Sequence, residues 1–139
     1  MATDPTDEQL QALMTAPAEG DIRMINLLKF SQVARYADGT DGGCASGMEA
    51  YLRYGAALQD GILEAAGAKM IYSEPVLQGV IGDTHSLDYD IIAIVGYPSR
   101  RAFLDMVNSE DYRAAHVHRE AGLERQLLFC CAGNPPVMG

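Results

Sequence analysis

The sequence predicts an α+β fold: a four-stranded antiparallel sheet with two helical segments in the order β-α-β-β-α-β, preceded by an extra N-terminal helix. Three observations predict it. The runs "RMINLLKF" and "DIIAIVGY" are apolar on both faces, as central strands are. Two longer stretches open on a serine and repeat apolar residues every three or four positions. Between them lies an extended stretch interrupted by Pro75, the mark of an edge strand.

The elements follow in chain order. Residues 6–15 read as a short helix with Thr6 as N-cap, Gln9 three positions on, and a narrow stripe of Leu10, Leu13 and Met14; Pro17 and Gly20 close it. Residues 23–30 form the first strand. Counting by twos, Met24, Asn26, Leu28 and Phe30 share one face, and Ile25, Leu27 and Lys29 the other. Residues 31–47, rich in Gly and Asp, are too long for a simple turn and fit a functional lid or a partly disordered segment.

A helix is expected over residues 46–66. Ser46 and Glu49 form a capping box, Tyr51, Gly55, Leu58, Ile62 and Ala65 make the inward stripe, and Gly67 ends it. Gly55 marks an expected close approach to the sheet. Residues 69–82 read as an extended edge strand broken at Glu74-Pro75, followed by a polar turn, and residues 90–97 as the third strand. Ser99 caps the next helix, whose inner stripe is Ala102, Phe103, Met106 and Val107. Ser109 caps its continuation, where Tyr112, Ala115, His116, Arg119 and Leu123 share a face and His118 falls off it toward solvent. Residues 126–131 form the last strand.

This order is the ferredoxin-like pattern, with strands one and three in the centre of a 4-1-3-2 sheet. The whole chain, 1–139, reads as a single domain: a helical appendage at 1–20, a ferredoxin-like core at 22–131 and a tail at 132–139. Helices cover only one face of such a sheet. The double apolar character of the central strands therefore predicts a covered second face, best met by a homodimer with sheets face to face. The N-terminal helix, with three apolar residues in its stripe, is too narrow to do this alone.

Composition excludes several function classes. The net charge of −9 opposes nucleic acid or an anionic membrane as partner. No segment approaches the roughly 20 apolar residues of a membrane span, and the N-terminus lacks a signal-peptide pattern, so a cytoplasmic protein is expected. Cys44, Cys130 and Cys131 form no C-x-x-C and read as reduced, mostly buried thiols. "DGTDGG" lacks the ligand spacing of a calcium loop, and His85 among Asp83, Asp88 and Asp90 reads as turn composition, so no metal is expected. No nucleophile elbow, phosphate loop or H-E-x-x-H is present, and no cofactor is expected.

The segments "MINLLKF", "YADG", "GMEAYLRYG", "VIG" and "IIAIVGYPSRRAFLDMVNSEDYRAAHVHREAGL" together resemble the domain-of-unknown-function 1330 family over about residues 22–130. The resemblance implies the dimeric α/β-barrel superfamily, hence a ferredoxin-like protomer and a homodimer. It implies no single activity. That superfamily holds cofactor-free and haem-degrading monooxygenases, muconolactone isomerases and ligand-binding modules, and a fold does not choose among them.

Polar residues on buried stripes mark the candidate site. His116, Arg119 and Asn26 are the candidate catalytic residues; Tyr51, Tyr54, Tyr112 and Lys29 are candidate ligand contacts. Arg119 can clamp a carboxylate, His116 can exchange a proton near neutral pH, and Asn26 or a tyrosine can hydrogen-bond an oxyanion. Asn26 and Lys29 point oppositely, and periodicity leaves open which one faces the helices; Asn26 is assigned to the pocket. The expected function is binding of a small organic acid or aromatic-type metabolite between sheet and helices, with cofactor-free proton transfer or oxygenation if it is turned over. The alternative is a non-catalytic binding or assembly module. A third is a haem-handling monooxygenase, which matches an Asn on strand one and a His on the last helix but often uses a tryptophan that this chain lacks.

Overall fold

The structure, a computed structural model, describes residues 3–16 and 20–133. Its elements are α1 (Asp7–Thr15), β1 (Ile22–Phe30), α2 (Gly47–Ala57), α3 (Leu63–Ala65), β2 (Lys69–Pro75), β3 (Ile91–Tyr97), α4 (Arg100–Val107), α5 (Glu110–Gly122) and β4 (Leu123–Ala132). The four strands form one antiparallel sheet in the order β2-β3-β1-β4. This is the ferredoxin-like arrangement, and the two doubly apolar runs are its central strands.

Helices α1, α2, α4 and α5 each start where a side chain replaces a missing backbone acceptor; α3 has no side-chain cap. Thr6 and Gln9 form a complete capping box at α1. Ser46, Ser99 and Ser109 accept from the backbone N–H groups of Glu49, Ala102 and Tyr112. The expected helix over 46–66 is not continuous. A wide turn, Leu58–Ile62, separates α2 from α3, because Asp60 and Gly61 leave helical geometry and Gly61 takes φ +101°. Pro17, expected to close α1, lies outside the described residues.

The second strand is shorter than expected. It ends at Pro75, which has no N–H to extend the ladder, and 76–90 contains no strand. The irregularity falls between Met70 and Tyr72 rather than at Glu74-Pro75. Conversely β4 begins at Leu123, immediately after α5, and Leu123 pairs with Phe30 across a bulge.

The face of β1 carrying Ile22, Met24, Leu28 and Phe30 meets the helices. Met24 and Val95 pack with Tyr54, Leu58, Ile62 and Tyr112 in the main core, while Leu28, Phe30, Ala93 and Leu123 form a second cluster. Full burial of Leu28 alone is worth about 2 kcal/mol. The expected close approach at Gly55 is absent: a Cβ there would meet nothing within 4 Å. The tight contact lies elsewhere. A Cβ on Gly47 would come within 2.2 Å of the Ser31 carbonyl, and one on Gly122 within 2.3 Å of the Gly47 carbonyl. These glycines let the start of α2 touch the end of α5.

That contact also fixes the loop before α2. Ser31 and Arg35 donate to the carbonyls of Gly122 and Ala121, and Ala34 and Cys44 are buried against Ala50 and Ala121. The loop is a pinned cover, not a free lid. The opposite sheet face carries Ile25, Leu27, Ile92, Ile94, Leu127 and Phe129 in register. Leu127 and Phe129 are exposed, and the other four are partly exposed. Helix α1 does not cover this face; its Leu13 packs on the helix-side core, and α1 neighbours α4.

Candidate functional site

Asn26 lies on the helix-facing side of β1, as its strand neighbours Met24 and Leu28 require. Its amide nitrogen donates to the carbonyls of Ala93 at 3.1 Å and Met24 at 3.3 Å. Its amide oxygen therefore points away from the sheet backbone and accepts from Gln126 Nε2 at 2.7 Å. The oxygen of Gln126 in turn accepts from Arg119 Nη2. Arg119, Gln126 and Asn26 thus form a one-way chain of donors running from α5 through β4 to β1. Each link fixes the orientation of the next amide.

Arg119 is the buried charged side chain of the core, at 8% exposure. It sits on the inward face of α5 three positions after His116. On its other side Nη1 donates to Asp4 Oδ1 at 3.1 Å, and Nη2 donates to the carbonyl of Thr3. His116 lies beside the same carboxylate. Its Nε2 is 3.1 Å from Asp4 Oδ1, and its Nδ1 is 2.9 Å from Glu120 Oε1, one helical turn on. When both ring nitrogens carry protons, each faces a carboxylate. Asp4 and Glu120 are about half exposed, so this end of the site opens to solvent.

The tyrosines form the floor. Tyr51 stacks between Phe30 and Tyr54, with ring centroids 5.2 Å from each. The hydroxyls of Tyr54 and Tyr112 share a hydrogen bond of 2.9 Å, and the Tyr112 ring lies 5.9 Å from the ring of His116. Burial pushes the hydroxyl pKa values of Tyr51 and Tyr54 well above the ordinary range; the nearby Arg119 charge acts in the opposite direction. These side chains stay neutral and offer O–H donors, not phenolates.

Six of the seven candidate residues, Asn26, Tyr51, Tyr54, Tyr112, His116 and Arg119, are linked by these contacts. Lys29 is not. It lies on the opposite sheet face, where its ammonium contacts Asp88 at 2.8 Å and Asp90 at 3.4 Å; Arg125 also binds Asp88 at 2.9 Å. His118, expected in solvent, is instead 2.7 Å from the Tyr36 hydroxyl through Nδ1. Burial and then the charge of Arg53 lower its pKa.

Gln126, Asp4 and Thr3 escaped the sequence reading. Gln126 had a signal: it is the polar member of the strand face that also carries Leu128 and Cys130, as Asn26 is on β1. Asp4 had none, because it lies in a polar N-terminal stretch outside any periodic element.

Asp4, His116 and Glu120 offer ligand atoms within 4.8 Å of one another. The two carboxylates face opposite nitrogens of the imidazole, and Asp4 is already neutralised by Arg119. That arrangement suits a guanidinium–anion site better than a cation site. Two grooves of about 370 and 350 Å³ lie elsewhere, one beside Arg23 and Lys69 and the other between α3 and α4. Neither reaches Arg119. The space on its solvent side is filled by Thr3 and Asp4. No helix among the described residues is long and apolar enough to cross a membrane.

Comparison with known proteins gives a consistent placement. A solved structure of the methylated RPA0582 protein is 31% identical, with a TM-score of 0.86, and the alignment covers 98% of this chain and 97% of that one. A second structure, of the RPA0582 protein of unknown function from Rhodopseudomonas palustris, is also 31% identical, with a TM-score of 0.83 over 96% and 97% of the two chains. No curated protein matches. The model of the family described as Domain of unknown function (DUF1330) matches residues 45–132, and the chain belongs to that family.

Proposed function

We propose that this protein binds a small organic acid, holding its carboxylate on Arg119 beside His116, within a homodimer. One observation supports the binding reading most. The ferredoxin-like core supplies Arg119 with a neutral amide, Gln126, while the counter-charge comes from Asp4, outside the core. A guanidinium taken out of water without a paired anion costs several kcal/mol, so this core presents a cation that calls for one. Asn26 and Gln126 hold the guanidinium plane in place, which preorganises it for bidentate contact. His116 touches the same anion position and is the group placed to move a proton if the ligand is turned over.

The test is calorimetric titration with a panel of small carboxylates and their uncharged amides. Binding of at least one acid, absence of binding by its amide, and a loss of at least about tenfold in affinity in Arg119→Met support the proposal. No binding by any acid, or equal binding by Arg119→Met, overturns it.

Self-association is supported by a separate feature, the exposed apolar sheet face centred on Ile25, Leu27, Ile94 and Phe129. A face of this kind is a candidate for sheet-on-sheet packing of two copies.

A further inference from the structure

We infer that Thr3 and Asp4 are a built-in surrogate for the ligand, and that the site takes a small acid whose carbonyl carbon is separated from its carboxyl carbon by three atoms. The inference rests on the organic-acid proposal above and names the ligand class of that same site. Binding then requires the N-terminal segment, residues 3–16, to leave the site.

The chemistry of the surrogate is explicit. Arg119 Nη1 donates to a carboxylate oxygen of Asp4, and Nη2 donates to the carbonyl oxygen of Thr3. Those two acceptors belong to one short covalent path. From the Thr3 carbonyl carbon it runs through the Asp4 amide nitrogen, Cα and Cβ to the side-chain carboxyl carbon. A 5-oxo acid or an N-acyl β-amino acid has the same path and can present both oxygens to the same fork. His116 Nε2 adds a third contact, to the carboxylate.

The segment that carries the surrogate is lightly held. Helix α1 has no buried residue. Leu13 packs on the core from its far end, and the charged contacts of Asp4 hold the near end. The segment is capped internally by Thr6 and Gln9, so it can lift as a formed helix without losing its first turn. A surrogate of this kind lowers the apparent affinity for an external ligand by the fraction of molecules in which the site is open.

The probe is N-acetyl-β-alanine, which reproduces the Thr3 carbonyl and the Asp4 side chain; pentanoate, lacking the carbonyl, is the comparison. Affinities are measured by calorimetry on the full chain for the wild type, Asp4→Ala and Asp4→Asn. Amide hydrogen exchange of residues 7–15 is followed with and without probe. The expected result is about tenfold tighter binding of the probe to Asp4→Ala than to wild type, an intermediate value for Asp4→Asn, and weaker binding of pentanoate throughout. The probe should also speed exchange in α1 of the wild type. Equal probe affinity in all three proteins with unchanged exchange overturns the surrogate, while Arg119-dependent binding of other acids leaves the organic-acid proposal standing. Pentanoate binding as tightly as the probe overturns the carbonyl requirement. Failure of every acid to bind removes both proposals together.

Discussion

Arg119 and Asp4 meet at 3.1 Å across 115 positions of chain, joining the last helix of the core to a residue that precedes its first element. The two partners are unequal: Arg119 is buried, whereas the Asp4 side chain is 50% exposed. Arg119→Met removes a charge but strands the Gln126 carbonyl and the Asp4 carboxylate, and is expected to cost about 3 kcal/mol. Asp4→Ala opens the wet end of the pair, where water can reach and solvate the guanidinium that loses its anion, and is expected to cost only about 1 kcal/mol. The double variant should be no less stable than Arg119→Met. Urea unfolding of all four proteins tests this, and additive losses would show that the pair is not coupled.

The hydroxyl pair of Tyr54 and Tyr112 is buried and 2.9 Å apart. Tyr54→Phe leaves the Tyr112 hydroxyl without this partner and is expected to cost about 1–2 kcal/mol, while Tyr54→Phe with Tyr112→Phe should be closer to wild type. The same burial sets an alkaline limit. The Tyr54 pKa is raised in the fold, so the neutral form is favoured there. Its contribution is fully present below the unfolded value near 10 and is lost as pH rises from there toward the folded value. Stability followed by urea titration should fall above about pH 10, and less steeply in the double phenylalanine variant.

Gly47 and Gly122 hold α2 against α5. A Cβ at either position would meet a backbone carbonyl at 2.2 or 2.3 Å, and backbone cannot rotate aside as a side chain can. Gly47→Ala is expected to destabilise by about 2 kcal/mol or more, whereas Gly55→Ala, with open space around it, should stabilise by up to about 1 kcal/mol through helix propensity. Thermal unfolding of the two variants should move in opposite directions.

The contrast between these glycines shows what the sequence carried. Periodicity located Tyr51, Leu58 and Ile62 on the inward stripe of the helix expected over 46–66, and the serine caps located the starts of α2, α4 and α5, because both signals are local. Gly47 and Gly122 touch through a crossing of two helices, which no local pattern encodes. The site divides the same way. Asn26, His116 and Arg119 stood out as polar residues on apolar stripes. Their mutual contact through Gln126 depends on strand register, and the contact with Asp4 depends on where a non-periodic segment comes to rest. Lys29 had the same local signal as Asn26, a polar residue in a buried-looking strand. The parity of β1 separated them, and only the packed helices decided which parity faced inward.

Lys29 itself supports an acid-stability prediction. Hydrogen bonds from Lys29 and then Arg125 hold the Asp88 carboxyl at about 2, below the ordinary aspartate range. A depressed folded pKa contributes stability above the unfolded value near 3.9, and that contribution is lost as pH falls through about 2. The wild type should therefore lose stability between about pH 4 and 2 more steeply than Asp88→Asn. Carboxyl titration by NMR checks the assignment: a midpoint for Asp88 at the ordinary value would remove this explanation.

Phe129 tests the proposed dimer because it can be changed at little expense to the protomer. It is 52% exposed and lies in register with Ile25 on the face away from the helices. Burying such a face between two copies would gain about 25 cal/mol per Å² of apolar surface, against the repulsion of two chains carrying −9 each. Light scattering of the wild type should give twice the 15.0 kDa chain mass. Phe129→Glu adds charge at the centre of that face and should return the single-chain mass with an unchanged far-ultraviolet spectrum. Raising salt should tighten the wild-type dimer by screening the like charges, and a wild type that scatters as a single chain at every salt concentration would refute the sheet-to-sheet assembly.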